Sequence, residues 1–236
     1  MSHRFFVPPD AVRDDRAVLR GDQARQIASV LRLEAGDRVL LLRDGEELEV
    51  TLGAVGPSQV EGRIVARRPA GGEPRLRLTL ALPLLRGDRS EEVVEAVTQL
   101  GVARIVPFVS ARSVARHLSD ARRARWVRIA RESAETARRG RAPEIGPLRP
   151  WDALMAELEP PVVVAWEEER ERRLADVVDG QLPALSLVIG PEGGLTEDEV
   201  RLARELGARV VSLGARNLRS ETAAIAAVAE IIARAE

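Results

Sequence analysis

Apolar and polar positions alternate in two different ways along this chain. Up to about residue 70, short apolar runs between turn-forming residues predict strands at 38–42, 47–52 and 59–66. The pairs Asp44-Gly45 and Gly56-Pro57 between them favour tight turns. A helix over 21–33 is predicted from the apolar spacing of Ala24, Ile27, Val30 and Leu31. The first 70 residues are therefore predicted to form a small β-barrel.

After a Gly- and Pro-rich linker at 67–74, predicted strands alternate with predicted helices. The predicted strands are 75–82, 105–109, 162–166, 185–189 and 209–213, and those at 162–166 and 185–189 are nearly continuous apolar runs. The helices, which have apolar residues at helical spacing, are 90–100, 119–138, 151–158 and two that begin near Thr196 and Ser220. This order is typical of a mostly parallel sheet with helices on both faces. We therefore expect an α/β domain at 75–236 after the smaller domain at 1–70.

Two strand–turn–helix units near the C-terminus carry glycine where each strand ends. The first turn is Gly190-Pro191-Glu192-Gly193-Gly194, and the second begins at Gly214. In α/β proteins, ligands bind at the sheet edge that the carboxyl ends of the strands form. The first turn matches neither the dinucleotide nor the P-loop pattern. Its glycines either form a tight turn only, or let a flat ligand approach the backbone, in which case a valine at 193 would block binding.

The second turn carries an unusual number of polar side chains, which are Arg216, Asn217, Arg219, Ser220 and Glu221. Arg219 and Glu221 either form a local ion pair or orient a substrate and its charges. Glu192 in the first turn also has two interpretations. It is a site carboxylate, or simply an acid that is favoured near the start of a helix.

Some prominent residues have structural interpretations. Thr196 followed by Glu199 forms a capping box at the start of a helix. Trp126 lies at helical spacing with its apolar neighbours, which predicts a core residue rather than a base-stacking platform. His117 precedes a helix in a basic segment, and a lone histidine of this kind is more often structural than catalytic.

The composition excludes several kinds of chemistry. All 36 basic residues are arginine, which rules out a P-loop lysine and a Schiff-base lysine. Cysteine is absent, and two histidines are too few for a multi-histidine metal centre. No apolar run approaches the ~20 residues of a membrane span, and the N-terminus lacks the apolar core of a signal peptide. We therefore expect a cytoplasmic protein without a metal.

The net charge of −1 hides two oppositely charged segments. Residues 112–141 contain ten arginines and three acidic residues, and residues 151–199 contain thirteen acidic residues and three arginines. The basic segment either meets nucleic-acid phosphates or pairs with the acidic segment inside the fold. Charge alone favours neither interpretation.

Taken together, the two turns resemble those of a known family. Segments IGPEGGLTEDE (189–199) and LGARNLRSETAAIAA (213–227) are similar to the cofactor-binding signatures of the RsmE family. This SPOUT-superfamily group uses S-adenosyl-L-methionine to methylate N3 of a uridine in 16S rRNA. Other similar segments are HRFFVPP (3–9), VLRLEAGDRVLLLRDG (30–45), TQLGVARIVPFVSARSV (98–114) and ARWVRIARESAETARRGRAPEI (124–145). The resemblance therefore covers nearly the whole chain.

The resemblance implies a fold, a cofactor and partners. It implies an RNA-binding, PUA-like barrel at 1–70 and a deep trefoil knot in the α/β domain that holds the cofactor. It also implies a homodimer in which the partner completes each site. The residues implied to bind the cofactor are Gly190, Glu192, Gly193, Leu213, Gly214, Asn217, Leu218 and Thr222. Those implied to bind 16S rRNA or the small ribosomal subunit are Arg4, Arg112, Arg116 and Arg139.

Methylation of uridine N3 needs a group that accepts its proton or stabilises the developing anion. Our candidates are Arg219 and Arg139 as stabilisers and Glu221 as a base. The segment RSETA (219–223) differs from the third motif of SPOUT ribose methyltransferases, which favours methylation of the base. A 2′-O-ribose methyltransferase and a non-catalytic RNA-binding ribosome-maturation factor are the alternatives. The chain departs from the usual family residues at Ala96, Gln99 and Thr136. If the usual residues at these positions bind RNA, those contacts are altered in this chain.

Overall fold

The computed structural model describes residues 3–43, 45–178 and 181–236. The chain forms two compact units. The first contains the residues up to Glu73 together with Ala134–Arg141, and the second contains Pro74–Ser133 and Ala142–Glu236. Within the first unit, Glu135 Oε1 accepts a hydrogen bond from the backbone N–H of Phe6 at 2.7 Å. This hydrogen bond joins residues that are 129 positions apart in the chain, and local sequence patterns did not predict it.

The strands of the first unit are β1 His3–Phe6, β2 Val12–Arg13, β3 Arg16–Arg20, β4 Arg38–Arg43, β5 Glu46–Val55 and β6 Gln59–Pro69. In the described part of this unit they form one sheet in the order β1-β4-β5-β6-β3-β2. β1 and β4 are parallel and the other pairs are antiparallel. The three predicted strands are confirmed as β4, β5 and β6, although β6 extends into the predicted linker. Asp44 of the first predicted turn lies outside the described residues.

Two features of the first unit differ from the sequence prediction. β3 was not predicted, because three of its five residues are not buried and only Ala17 and Leu19 reach the core. The predicted helix at 21–33 is a short helix, α1 Asp22–Arg25, that continues as the π-helical segment Gln26–Val30. A π-turn is wider than an α-turn and changes which face later side chains take. Val30 is consequently 70% exposed, and its predicted place on the apolar face was wrong.

The strands of the second unit are β7 Arg77–Pro83, β8 Arg104–Val109, β9 Glu144–Ile145, β10 Arg149–Pro150, β11 Val162–Ala165, β12 Ala184–Ile189 and β13 Arg209–Val211. Across residues 77–178 and 181–211 they form one sheet in the order β10-β8-β7-β12-β11-β13, with β9 beside β8. Every one of these pairs is parallel. The predicted parallel sheet is therefore confirmed, although β13 ends two residues earlier than expected.

The remaining helices are α2 Arg89–Gln99, α3 Asp120–Thr136, α4 Trp151–Glu157, α5 Glu197–Glu205 and α6 Ser220–Ala235. Successive side chains of each strand enter different cores. Leu187 of β12 packs in a cluster that includes α2, α6 and Trp126, whereas Val188 packs in a cluster that includes α4 and α5. Because both faces are covered, the strands are apolar at nearly every position. Trp126 is fully buried, as predicted.

The strand order determines which loops meet. β12 lies between β7 and β11, and β13 lies beyond β11. In this register Ala165, the last residue of β11, is paired with both Ile189 of β12 and Val211 of β13. The three loops that follow these strands therefore start side by side, at the edge where α/β sheets bind ligands.

Candidate functional site

A cavity of about 740 Å³ lies at this edge of the second unit. Its wall is formed by residues 165–168, 189–194 and 212–220 of the three loops, and Arg89 at the start of α2, Arg170 and Ala223 also contribute. The volume is in the range of small-molecule sites. The two glycine turns that the sequence marked as a ligand site thus meet around one cavity.

A capping box at the start of α5 holds the loop after β12. The N–H of Thr196 donates to Glu199 Oε2 at 2.9 Å, and the N–H of Glu199 donates to Thr196 Oγ1 at 3.2 Å. This confirms the predicted box. The other oxygen of the same carboxylate, Glu199 Oε1, accepts the N–H of Ala111 at 2.7 Å. Glu199 therefore also joins the first glycine loop to the loop after β8.

The α-carbon of Gly193 lies against the loop after β8. A Cβ added at this glycine would lie 3.0 Å from Arg112 Cβ and 3.2 Å from the Arg112 carbonyl oxygen. Arg112 Nη1 in turn donates to the carbonyl oxygen of Gly193 at 3.2 Å. A valine at 193 would therefore push the Arg112 loop away. From the sequence, a valine at this position was expected to fill the space of the ligand. In the structure, the space that such a side chain would enter is occupied by Arg112.

Glu192 is tied to the start of α2. Its Oε1 accepts the backbone N–H of Arg86 at 3.0 Å and lies 3.9 Å from Arg89 Nη1. Arg89 was not among the predicted site residues, because it lies 101 positions before Gly190, where the first glycine loop begins. A usable signal existed, since Arg89 lies in the segment that directly follows β7 and so begins at the same edge of the sheet.

The loop after β13 brings four predicted cofactor residues to the cavity wall, which are Leu213, Gly214, Asn217 and Leu218. Gly214 has a φ of +109°, which favours glycine. Its N–H donates to Ser212 Oγ at 3.2 Å. Thr222 lies exposed in the first turn of α6, beside Ala223, which lines the cavity.

Arg219 and Glu221 form a weak ion pair. Arg219 is 76% exposed, and its Nη1 lies 4.0 Å from Glu221 Oε1. Glu221 is 15% exposed, and its Oε2 is buried without a hydrogen-bond partner among the described residues. A buried oxygen without a partner is unfavourable. The pair therefore leaves most of the Arg219 guanidinium open to a ligand, whereas Glu221 is buried and is not one of the residues that line the cavity.

The loop after β11 was missed by the sequence prediction. Trp166, Glu167 and Glu168 line the cavity, and Arg170 Nη1 donates to the carbonyl oxygen of Glu167 at 2.6 Å. From the sequence, this acidic run was counted within the segment 151–199 and was assigned no place in the site. The strand order, with β11 between the two glycine-bearing strands, is what brings it into the site.

Comparison with known proteins identifies the family. The family model described as an RNA methyltransferase domain matches residues 72–232. The chain belongs to this RNA methyltransferase family.

Named relatives of this methyltransferase agree with one another. The chain is 31% identical to the ribosomal RNA small subunit methyltransferase E of Bacillus subtilis, over 90% of this chain and 88% of that protein. It is 30% identical to the protein of the same name from Mycobacterium tuberculosis, over 91% and 85%. The crystal structure of the Neisseria gonorrhoeae protein of that name, bound to S-adenosyl methionine, matches with a TM-score of 0.89 at 27% identity, over 98% and 96%. The resemblance to the RsmE family is confirmed.

The predicted RNA-binding arginines of this methyltransferase have partners inside the chain. In the second unit, Arg116 Nη1 donates to the Ser110 carbonyl oxygen at 3.1 Å, and Arg112 holds Gly193 as described. In the first unit, Arg4 pairs with Glu47 at 2.6 Å. Arg139, which was also a catalytic candidate, has a side chain only 2% exposed and pairs with Glu73 at 2.6 Å. Each of these residues has at least one role in holding its own unit together.

Residues 3–43, 45–178 and 181–236 of the methyltransferase contain neither a candidate metal site nor a candidate membrane-spanning helix. Over these ranges, no group of three or more histidine or acidic side chains is arranged to hold a metal ion. None of the helices in them combines the length and the apolar character that crossing a membrane requires.

Proposed function

We propose that this RNA methyltransferase transfers a methyl group from S-adenosyl-L-methionine to N3 of a uridine in 16S rRNA. One observation carries the proposal. The two glycine loops that resemble the RsmE signatures meet around a single cavity at the carboxyl edge of the parallel sheet. The relatives are named as methyltransferases of small subunit ribosomal RNA, and the Neisseria gonorrhoeae relative binds S-adenosyl methionine.

The cavity is suitable for this methyl donor. Its volume of about 740 Å³ is ample for a nucleoside with an amino-acid tail. At Gly214 the position of a Cβ is open space, so the backbone there is exposed to a flat base. The residues that we propose to hold the donor are Gly190, Glu192, Gly193, Leu213, Gly214, Asn217, Leu218 and Thr222. When bound, the donor supplies a methyl group on a cationic sulfur, which keeps the bonding electrons and becomes a neutral thioether.

Side chains of the chain itself must manage the proton and charge of the uracil. N3 of uridine carries a proton, so a base must accept it and a cation must stabilise the charge that develops on the ring oxygens. Glu221 has a carboxylate oxygen without a partner among the described residues, which suits the first role. Arg219, mostly exposed at the cavity wall, suits the second. Arg139 is a further candidate for the second role, although Glu73 already holds its guanidinium.

The wider assembly is also proposed. Arg4, Arg112, Arg116 and Arg139 bind phosphates of 16S rRNA or of the small ribosomal subunit, and the first unit serves as a PUA-like RNA-binding barrel. The second unit holds the donor in a deep trefoil knot, and a homodimer completes each site. The protein acts in the cytoplasm, where its ribosomal substrate is found.

Methylation of isolated ribosomal material tests this function. Small subunits and naked 16S rRNA from a strain that lacks this gene are incubated with the protein and labelled S-adenosylmethionine. The digested nucleosides are then fragmented in a mass spectrometer. We expect one methyl group, carried by the uracil fragment.

Two other outcomes would contradict the proposal in different ways. A methyl group on the ribose fragment would make the protein a 2′-O-methyltransferase. RNA binding without any methyl incorporation would make it a non-catalytic ribosome-maturation factor.

A further inference from the structure

The loop after β11 brings carboxylates to the cavity that the proposed reaction does not use. Glu167 and Glu168 line the cavity two and three residues after the end of β11. Within the described parts of the chain, neither carboxylate accepts a hydrogen bond or pairs with a cation. Arg170 of the same loop also lines the cavity, but its Nη1 donates to the backbone carbonyl oxygens of residues 167 and 169 rather than to either carboxylate.

Glu192, the carboxylate of the first glycine loop, already has partners. Glu192 accepts the N–H of Arg86 and has Arg89 within 3.9 Å. Two further cationic side chains of the wall, Arg216 and the mostly exposed Arg219, come from a different loop, after β13. The cavity therefore has one loop with available negative charge and another with available positive charge.

Glu167 lies directly against the first glycine loop. A Cβ added at Gly194 would overlap Glu167 Oε1. Gly194 also has a φ of +72°, so a side chain is disfavoured there for a second reason. The carboxylate thus occupies the space that a side chain at 194 would take, beside the loop that we propose to cradle the donor.

We propose that Glu167 binds a positively charged group of the methyl donor and makes the cavity selective for a cationic ligand. This inference rests on the proposed function. S-adenosylmethionine carries two cationic groups, the sulfonium and the α-ammonium. A carboxylate at the wall of a partly enclosed cavity attracts either group. If the group is the sulfonium, the neutral product S-adenosylhomocysteine is held less tightly than the donor and leaves more readily.

The same charge distribution separates the two substrates. Carboxylates after β11 repel RNA phosphates, whereas Arg216 and Arg219 after β13 attract them. The donor and the RNA are thereby directed to different loops of one cavity.

Calorimetry with three ligands tests the role of Glu167. The ligands are S-adenosylmethionine, S-adenosylhomocysteine, and 5′-methylthioadenosine, which has neither the sulfonium nor the amino-acid tail. The variant is Glu167→Gln, which keeps the size of the side chain and removes its charge. The matched control is Glu171→Gln, a change of the same kind in the same loop, at an exposed residue outside this cavity.

Glu167→Gln is expected to weaken S-adenosylmethionine binding about tenfold. Binding of 5′-methylthioadenosine should not change, and Glu171→Gln should bind all three ligands like the wild type. Unchanged S-adenosylhomocysteine binding assigns Glu167 to the sulfonium, and a loss equal to that of the donor assigns it to the α-ammonium. Equal weakening of all three ligands would indicate loss of structure and overturn the proposal. So would no weakening, or the same effect from Glu171→Gln.

The wild-type protein separates this inference from the function on which it rests. If it binds neither S-adenosylmethionine nor S-adenosylhomocysteine, the proposed cofactor is wrong and the role of Glu167 is wrong with it. If it binds both and Glu167→Gln changes nothing, the proposed function stands and only the role of Glu167 is overturned.

Discussion

Arg89 Nε lies 3.8 Å from Glu221 Oε1, which connects the first residue of α2 to the first turn of α6. The same guanidinium has its Nη1 3.9 Å from Glu192 Oε1 on the glycine loop after β12. One cation at the start of α2 thus lies between a carboxylate of the glycine loop after β12 and a carboxylate of α6. Both distances exceed a hydrogen bond, so Arg89 acts mainly through its charge.

Replacing Arg89 by alanine should slow methylation. Among the described residues, Glu221 would then keep Arg219, at 4.0 Å, as its one paired cation. We expect kcat to fall about fivefold, equivalent to ~1 kcal/mol for a half-exposed pair, with a smaller change in KM for the RNA. Arg89→Lys should recover most of the rate, because a positive charge remains.

Arg201→Ala is the matched control for Arg89. Arg201 also pairs with two carboxylates, Asp198 at 2.7 Å and Glu205 at 3.9 Å, but on the exposed side of α5. Its loss should leave steady-state methylation unchanged. A rate for Arg89→Ala equal to that of Arg201→Ala would show that Arg89 does not position Glu221.

Arg219→Ala should lower turnover far more than donor affinity. Arg219 is mostly exposed at the cavity wall, where it is available to the charge that develops on uracil. Loss of such a donor should reduce kcat on small subunits by about 100-fold, while calorimetry shows S-adenosylmethionine binding within about twofold of wild type. Unchanged turnover would remove Arg219 from the reaction.

Gly214→Ala and Gly207→Ala separate backbone strain from ligand contact. Both glycines have positive φ, +109° and +85°, and an added Cβ meets nothing within 4 Å at either. Each substitution should therefore cost about 1–2 kcal/mol of unfolding free energy, measured by urea denaturation. Only Gly214 lines the cavity, so only Gly214→Ala should weaken S-adenosylmethionine binding. Equal donor affinities of the two variants would contradict a role for Gly214 in the site.

The buried pair of Glu91 and Arg122 should make stability depend on pH in the acidic range. Burial raises the pKa of Glu91, but the hydrogen bonds and charge of Arg122, with both contacts at 3.0 Å, hold that pKa below its ordinary value of 4.5. A carboxyl group with a lowered folded-state pKa stabilises the protein above its unfolded pKa. That stabilisation disappears as the pH falls through the folded pKa.

Glu91→Gln should accordingly lower the unfolding free energy by about 2 kcal/mol at pH 7. The difference from wild type should shrink as the pH is lowered below about 4.5. Urea unfolding at several pH values measures it, with Glu92→Gln as the control, because Glu92 is exposed on the same helix. A difference that does not vary with pH would mean that packing, rather than charge, is responsible.

Local signals predicted most of the second unit correctly. The apolar runs of β7, β8, β11 and β12 and the capping box of Thr196 and Glu199 depend on residues within a few positions of each other. Gly101 likewise ends α2 with a φ of +107°. The first unit was predicted less completely, because only two of the five residues of β3 reach the core, and because a π-helical segment shifted Val30 to the surface.

Only part of the candidate site was predicted, namely the part that depends on local sequence signals. The two glycine loops were assigned to one edge of the sheet, since all parallel strands end there. Arg89 and Glu167 were missed, because their place at the cavity follows from the order in which the strands are inserted into the sheet. The contact between Gly193 and Arg112 was also missed, because it joins two loops whose residues are 81 positions apart in the chain.

By itself, then, the sequence determined the parallel α/β character of the second unit, its glycine loops, the exclusion of lysine and cysteine chemistry, and the resemblance to a methyltransferase family. These depend on residue types and on interactions between near neighbours in the chain. Only the tertiary structure decided that Arg89 lies between Glu192 and Glu221, and that Glu167 lies on Gly194. Such contacts join residues that are distant in the chain, and their geometry is determined by strand order and register, which local propensities do not encode.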